Sequence, residues 1–290
     1  MMLECPCCLD RSTAFYLGIN KRCPVLNNVT YGTYDEAVNS PIGQIDLACC
    51  NNCGLIFNAS YDASLISYDA SYNPSRSNSR TYLDYLDSIA EMLAKDCLSS
   101  ESHVLEIGCG HGEFLKKLSG KVGCSAEGYD TSYPNDSDYC GKARFFSTYY
   151  KEGNGTSYDL LVLRHVLEHV AKPKIFLEGL CSSALLEKGS RLYVEVPGFD
   201  WIMEKKAFYD ITYEHCNYFT KNSLESFMRF LGFEVEKSAE VFGGQYLACV
   251  GVKSNSSVVK KVEALRFAES VNEFNNAKRK IINTVKSNDR

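Results

Sequence analysis

Three glycines at alternate positions, Gly108, Gly110 and Gly112, follow a short apolar run that contains Glu106. An apolar helical pattern opens directly after them. A strand that turns through glycines onto a helix N-terminus brings backbone N–H groups close to a ligand. The G-x-G-x-G spacing is one residue shorter than the dinucleotide fingerprint. A carboxylate at Glu106 would repel a pyrophosphate, so the stretch predicts a site for a cationic ligand.

Polar side chains follow two further predicted strands. Asp130 ends the second strand, 22 residues beyond Gly108, where an acid hydrogen-bonds a ribose diol in Rossmann-like sites; an N-cap or a loop acid is the alternative. Arg164 and His165 follow the fourth strand, and ligands of open α/β sheets bind at carboxyl ends of strands. His165 and His169 would share one face if this run is helical, but an H-E-x-x-H pattern is missing and no metal is expected there.

Four cysteines form two C-x2-C pairs, Cys5 with Cys8 and Cys50 with Cys53. Two such pairs can supply four thiolates to one tetrahedral zinc ion. Other candidate ligands are Cys7, Cys23 and Cys49, and the alternative is a set of buried free cysteines. The segment is not basic, which favours a structural or substrate-covering role over nucleic-acid binding.

Composition narrows the class of protein. The net charge is −5, without a long basic run, which argues against a nucleic-acid partner. No apolar run reaches the roughly 18 residues of a membrane span. Fourteen cysteines without a visible signal peptide indicate reduced thiols and a cytoplasmic location.

The elements that must position these residues fall into four segments. We expect a zinc-binding module over 1–60, a linker and helix covering the site over 61–100, a sheet domain over 101–255 and an amphipathic helix over 256–290. Strands and helices alternate through the sheet domain, which predicts an α/β fold with seven mostly parallel strands and an antiparallel edge. The final helix must cover the domain or a partner, such as a second copy in a homodimer.

The glycine stretch resembles motif I of the class I methyltransferases that use S-adenosylmethionine (SAM), and the chain as a whole resembles the sugar C-methyltransferase family. That family combines two C-x2-C pairs, a SAM domain and a Tyr-His-Glu-His run before a helix. The matching positions here are Cys5, Cys8, Cys50 and Cys53; Gly54-Leu55; Glu106, Gly108, Gly110 and Gly112; Glu214-His215; and Gly243-Gly244. The resemblance covers residues 1–252, and the family usually continues into a further α/β domain.

The resemblance implies a Rossmann-like SAM domain behind a structural zinc module. SAM would contact Glu106, the three glycines, Asp130, Arg164 and His165. The acceptor would be a nucleotide-linked sugar or related carbohydrate, with methylation at carbon favoured over oxygen. His215 would act as base and Glu214 would orient it or hold the acceptor, with a local cap before the next helix as the alternative role of the pair. His169 and Tyr72 would steady the developing oxyanion.

One departure from the family pattern concerns the acceptor contacts, because Thr212-Tyr213 stands where the family has Tyr-His. Two other functions remain open at this point. A nucleic-acid or protein methyltransferase would use the zinc module for docking, and a non-catalytic SAM-binding subunit would use the tail helix to recruit a partner.

Overall fold

The computed structural model describes residues 3–11, 14–27, 29–66, 78–135, 138–151, 156–181, 185–254, 274–276 and 279. The strands are β1 (Ala14–Pro24), β2 (Ile42–Cys50), β3 (Ile56–Asn58), β4 (His103–Ile107), β5 (Ser125–Tyr129), β6 (Asp138–Cys140), β7 (Ala143–Phe146), β8 (Leu160–Arg164), β9 (Arg191–Pro197), β10 (Asn217–Tyr218), β11 (Phe233–Val241) and β12 (Tyr246–Lys253). The helices are α1 (Tyr34–Val38), α2 (Arg80–Cys97), α3 (Glu113–Val122), α4 (Pro173–Leu180), α5 (Phe199–Lys205) and α6 (Lys221–Phe230).

The larger sheet has the strand order β11-β12-β9-β8-β4-β5-β7-β6. Strands β4, β5, β7, β8 and β9 pair in parallel, whereas β12 runs antiparallel to both of its neighbours. The predicted Rossmann-like sheet of seven mostly parallel strands is confirmed, and the short β6 adds an eighth strand at one edge. Because the parallel strands end at the same edge of the sheet, their polar C-terminal residues converge there.

Apolar patterning explains how this sheet is covered. All five residues of β8 are buried, as expected for a central strand with both faces covered. Helix α2, which lies in the segment expected to hold a linker and helix over 61–100, buries Leu86, Ile89 and Leu93 in the same cluster as the buried face of α3. Both helices therefore lie on one face of the sheet, beside the glycine turn that precedes α3.

A second sheet has the order β1-β2-β3-β10. Its first three strands come from the cysteine-rich segment, but β10 comes from the chain just after His215 and pairs antiparallel with β3. The backbone N–H of Asn58 also donates to the carbonyl of Cys216 at 2.9 Å. The cysteine-rich sheet and the segment carrying Glu214 and His215 are therefore continuous.

Two local features bear on the residues after β8 and before α6. His165 adopts a left-handed backbone conformation with φ 54° and residues 166–169 form a turn, so His165 and His169 do not share a helix face. Helix α6 is capped by Thr220, whose side chain accepts the N–H of Ser223. The expected helix over 256–290 lies largely outside the described residues. Within that range, residues 274–276 are described and helical. Among the described residues, no helix is long and apolar enough to cross a membrane.

Candidate functional site

A cavity of about 670 Å³ opens where the parallel strands of the larger sheet end. The glycine turn, the residues after β5 and the turn after β8 line one part of it. Thr212, Glu214 and His215 line another part, together with Asn27 from the cysteine-rich segment. A single cavity thus brings together residues from widely separated parts of the chain.

The glycine turn has the close geometry that its sequence predicts. Gly108, Gly110 and Gly112 all have positive φ, between 54° and 78°, a backbone conformation that glycine adopts without a Cβ clash. A Cβ on Gly108 would come within 2.5 Å of the Val166 side chain, and one on Gly112 within 2.5 Å of the Phe145 ring. Side chains are therefore excluded at both ends of the turn.

Two carboxyl groups flank this turn. Asp130 accepts the backbone N–H of Gly110 at 2.8 Å through one oxygen, and the backbone and hydroxyl of Ser132 through the other. Glu106 is 1% exposed, and burial raises its pKa to about 8. Its Oε2 has no hydrogen-bond partner within the described part of the chain. Buried polar atoms are normally paired, so Glu106 is a candidate to receive a cationic ligand group.

A buried ionic network lies between the glycine turn and the turn after β8. Arg164 contacts both carboxylate oxygens of Glu195, at 2.8 and 3.2 Å, and its guanidinium lies over the Phe114 ring. The ring of His165 lies between two carboxylates, 3.1 Å from Glu195 and 3.5 Å from Glu168. Burial by itself lowers the pKa of His165, but these carboxylates raise it overall.

Two histidines of the cavity wall form a pair. The rings of His169 and His215 are 4.9 Å apart and nearly perpendicular. Nδ1 of His169 lies 3.0 Å from the backbone carbonyl of Glu214. The Glu214 side chain accepts the backbone N–H of Asn27 at 3.0 Å. Residues far apart in sequence therefore meet as imidazole and carboxylate groups on one cavity wall.

The four predicted cysteine ligands form a cluster whose sulfur atoms all lie within 4.8 Å of one another. Cys5 and Cys53 are 3.5 Å apart, and Cys8 and Cys50 are 3.6 Å apart. A tetrahedral zinc ion with Zn–S bonds of about 2.3 Å requires sulfur separations of about 3.8 Å. The donor type, number and spacing therefore fit a structural zinc ion.

Comparison with known proteins identifies the family. A family model described as a methyltransferase domain matches residues 77–238, which is more than half of the chain. The chain belongs to this methyltransferase family. It is accordingly a SAM-dependent methyltransferase, as its glycine turn indicated. A search of curated protein sequences finds no match.

Solved methyltransferases are similar to this one in fold. The plantazolicin methyltransferase BpumL in complex with S-adenosylhomocysteine (SAH) is 15% identical over 60% of this chain and 84% of its own, with a TM-score of 0.46. The magnesium protoporphyrin IX methyltransferase of Synechocystis PCC 6803 with SAH is 17% identical over 60% and 84%, with a TM-score of 0.46. A chain from the complex between the Haloferax volcanii Trm112 methyltransferase activator and the putative methyltransferase is 15% identical over 59% of this chain and 91% of its own, with a TM-score of 0.48.

Most of the site residues predicted from sequence are brought together in this methyltransferase. The cavity wall includes residues predicted to bind the cofactor, namely Glu106, Gly108, Gly110, Asp130, Arg164 and His165, and residues predicted to be catalytic, namely His169, Glu214 and His215. Gly112 is the N-cap of α3, at the end of the same turn. Tyr72 lies outside the described residues.

Sequence reasoning missed three residues of the site. Glu168 lies between His165 and His169 in the turn after β8. Its place just beyond the C-terminal end of a buried strand could have identified it as a site residue. Glu195 is a charge inside the apolar strand β9, which a fully buried strand tolerates only with a partner. Asn27 gave no signal, because its contact with Glu214 spans 187 residues.

Proposed function

We propose that this methyltransferase transfers a methyl group to a nucleotide-linked sugar or related carbohydrate, preferentially at carbon, with His215 as the base. The observation that carries the proposal is the meeting of Glu214, His215 and His169 in the cavity that also contains the glycine turn. The carbohydrate class rests on the sequence resemblance. A structural zinc ion held by Cys5, Cys8, Cys50 and Cys53 is part of the proposal.

The cofactor half of the cavity is suited to SAM. When bound, SAM supplies an electrophilic methyl group on a positively charged sulfonium. The described part of the cavity wall carries six carboxyl groups, and its arginine is paired with Glu195. The glycine turn would receive the methionine end of the cofactor with its amino group near Glu106, and Asp130 would bind the ribose.

The acceptor half has to position one atom and remove one proton. For carbon methylation, a nitrogen of His215 takes a proton from the carbon beside a carbonyl, and the electron pair of that C–H bond becomes the enolate. The enolate carbon would then form the new bond to the methyl group as the methyl–sulfur bond breaks. The electron pair of that bond would stay on sulfur, SAH would leave, and the proton would remain on His215 until solvent removes it. An imidazole suits this step because its unperturbed pKa of about 6.5 lies near neutral pH. His169 and Tyr72 would stabilise the enolate oxygen, and Glu214 would orient the base or hold the acceptor.

The test is a screen of nucleotide sugars with deuterated-methyl SAM and mass detection, followed by the variants His215→Asn and Glu214→Gln. We expect both variants to retain SAM binding, and His215→Asn to lose turnover by roughly a hundredfold or more. His103→Asn is the matched control, because His103 is exposed on β4 and does not line the cavity. Full turnover in both site variants would refute the base assignment, and product methylated at oxygen would refute the carbon preference.

A further inference from the structure

The two segments that carry the acceptor-side residues are joined by hydrogen bonds. The backbone N–H groups of Cys216 and Asn217 both donate to the carbonyl of Glu168, at 2.8 and 3.1 Å. The side-chain amide of Asn217 donates twice more to carbonyls of the same turn, at 3.2 and 2.7 Å. His215 is therefore held next to the turn after β8 by its own backbone neighbours.

The side chain of Glu168 lies at the centre of this junction. It is 2% exposed, and one of its oxygens lies within 4.8 Å of a nitrogen of His169 and of a nitrogen of His215. Burial alone raises the pKa of this carboxyl group, but His165, His169 and His215 lower it overall. Glu168 is thus a buried anion with three imidazoles around it.

The opposite side of Glu168 is fixed by His165. That residue has φ 54°, a conformation that is unfavourable for a non-glycine residue and persists only where its surroundings impose it. Here the imposing contacts are the backbone bond from His165 N–H to the Glu195 carbonyl at 2.8 Å and the ring contacts with Glu195 and Glu168. Because Arg164 in turn binds Glu195, the network brings two carboxylates together with a guanidinium and the imidazole of His165.

We propose that Glu168 is the positioning residue of the base: its carboxylate accepts the N–H of His215 Nδ1 and leaves Nε2 to face the acceptor. Nδ1 of His215 and Oε2 of Glu168 are both buried side-chain atoms, and a ring nitrogen of His215 lies within 4.8 Å of a Glu168 carboxylate oxygen. The proposed hydrogen bond requires the two groups to close to about 3 Å. The inference rests on the proposed role of His215. A carboxylate in this position selects the tautomer that can accept a proton at Nε2 and stabilises the imidazolium that results.

Glu214 has a different position, although it precedes His215 in sequence. Its side chain receives the backbone N–H of Asn27, which ties it to the cysteine-rich sheet. Groups near the imidazole include the perpendicular ring of His169 and the ring of Tyr218, at centroid distances of 4.9 and 6.2 Å. Glu214 is as buried as Glu168, each being 2% exposed. Because the Glu214 side chain binds the cysteine-rich segment, Glu168 is the carboxylate that fits the orienting role.

Nitrogen-15 NMR of the histidine rings tests this without an acceptor. The 290-residue, zinc-loaded protein is labelled at its five histidines, SAH is added, and His215→Asn and His169→Asn assign the signals. We expect the neutral His215 of the parent protein to carry its proton on Nδ1. In Glu168→Gln, which has nearly the same shape, the fraction protonated at Nδ1 should fall at least about twofold, while the SAH affinity stays within about twofold. In Glu168→Asp the fraction protonated at Nδ1 should lie between those of the parent protein and of Glu168→Gln. Glu187→Gln is the control, because Glu187 is exposed.

The outcomes separate the two proposals. A parent His215 protonated at Nε2, or a ring spectrum unaffected by Glu168→Gln, would overturn the positioning role whatever the acceptor is. Stoichiometric binding of Mn²⁺ at His169 and His215 would also overturn it, by making Glu168 a metal ligand. With the acceptor found by the nucleotide-sugar screen, Glu168→Gln should lose turnover by roughly tenfold or more. Full activity of His215→Asn would instead refute the base assignment and leave the ring geometry intact.

Discussion

Replacing Glu106 with glutamine tests whether this buried carboxyl group contributes to cofactor binding while lowering the stability of the folded chain. Burial is the main cause of its high pKa of about 8; Arg164 lowers this pKa, and Asp130, Glu113 and Glu195 raise it. The folded chain therefore keeps a proton between pH 4.5 and about 8 that the unfolded chain has released. Since the folded state binds more protons here, the free energy of unfolding must fall as pH rises through this range.

The magnitude follows from the pKa difference. At about 1.4 kcal/mol for each pH unit, the whole interval corresponds to about 5 kcal/mol. Glu106→Gln keeps the shape of the neutral carboxyl group but cannot ionise. We therefore expect the variant to match the parent near pH 4.5 and to exceed its free energy of unfolding increasingly as pH approaches 8, by several kcal/mol. Urea denaturation at a series of pH values measures this, with the exposed Glu187→Gln as control.

The affinity for the cofactor should rise with pH, whereas the free energy of unfolding falls. If the ammonium group of the ligand binds the Glu106 carboxylate, the parent protein must release about one proton on binding near pH 6.5. Its affinity for SAH should rise by about tenfold for each pH unit between about pH 6 and about pH 7.5. Titration calorimetry in buffers of different ionisation enthalpy counts this proton. A pH-independent affinity in the parent, or the same pH dependence in Glu106→Gln, would refute the reasoning.

Three further changes test other parts of the structure. Metal analysis of the purified protein should find about one zinc ion per chain, and Cys50→Ser should lose the zinc together with thermal stability, because thiolate ligation contributes to folding. Gly112→Ala should abolish SAH binding, because its Cβ would lie within 2.5 Å of the Phe145 ring; Gly123→Ala is the matched control, with a similar φ of 72° but no atom within 4 Å of the new Cβ. Glu195→Gln should lower the free energy of unfolding at pH 7 by about 3–5 kcal/mol, because it leaves a buried guanidinium without its anion. Since partners keep the pKa of Glu195 below its usual range despite burial, that difference should shrink in acid, as urea denaturation can show.

The parts of the fold that sequence predicted are those with a local signal. Apolar runs of four to eight residues mark buried strands, and the glycines at 108, 110 and 112 mark the turn that only a backbone without side chains can make. The two C-x2-C pairs likewise carry their geometry in their spacing. Each of these features is specified within about ten residues of chain, so one sequence is enough to find it.

The cavity wall that carries His169 and His215 is specified by contacts between distant parts of the sequence, and sequence reasoning found less of it. His165 is a non-glycine residue in a left-handed conformation imposed by tertiary contacts, and the sequence left open whether a helix follows it. Glu168 looked like one polar residue among several until the turn after β8 buried it beside His215. The contact between Asn27 and Glu214 joins residues 187 positions apart, and no periodicity encodes such a pair.

The pairing of β10 with β3 determines when, during translation, the smaller sheet can be completed. The cysteine-rich strands leave the ribosome first, yet the strand that completes their sheet begins at Asn217, 159 residues after Asn58. At about 5–20 residues per second, translation of that interval takes roughly 8–30 seconds. During this time β3 has an unpaired edge, which is a template for aggregation. All four clustered cysteines precede the interval, so a metal ion bound early would hold the incomplete sheet together until the segment with His215 arrives to close it.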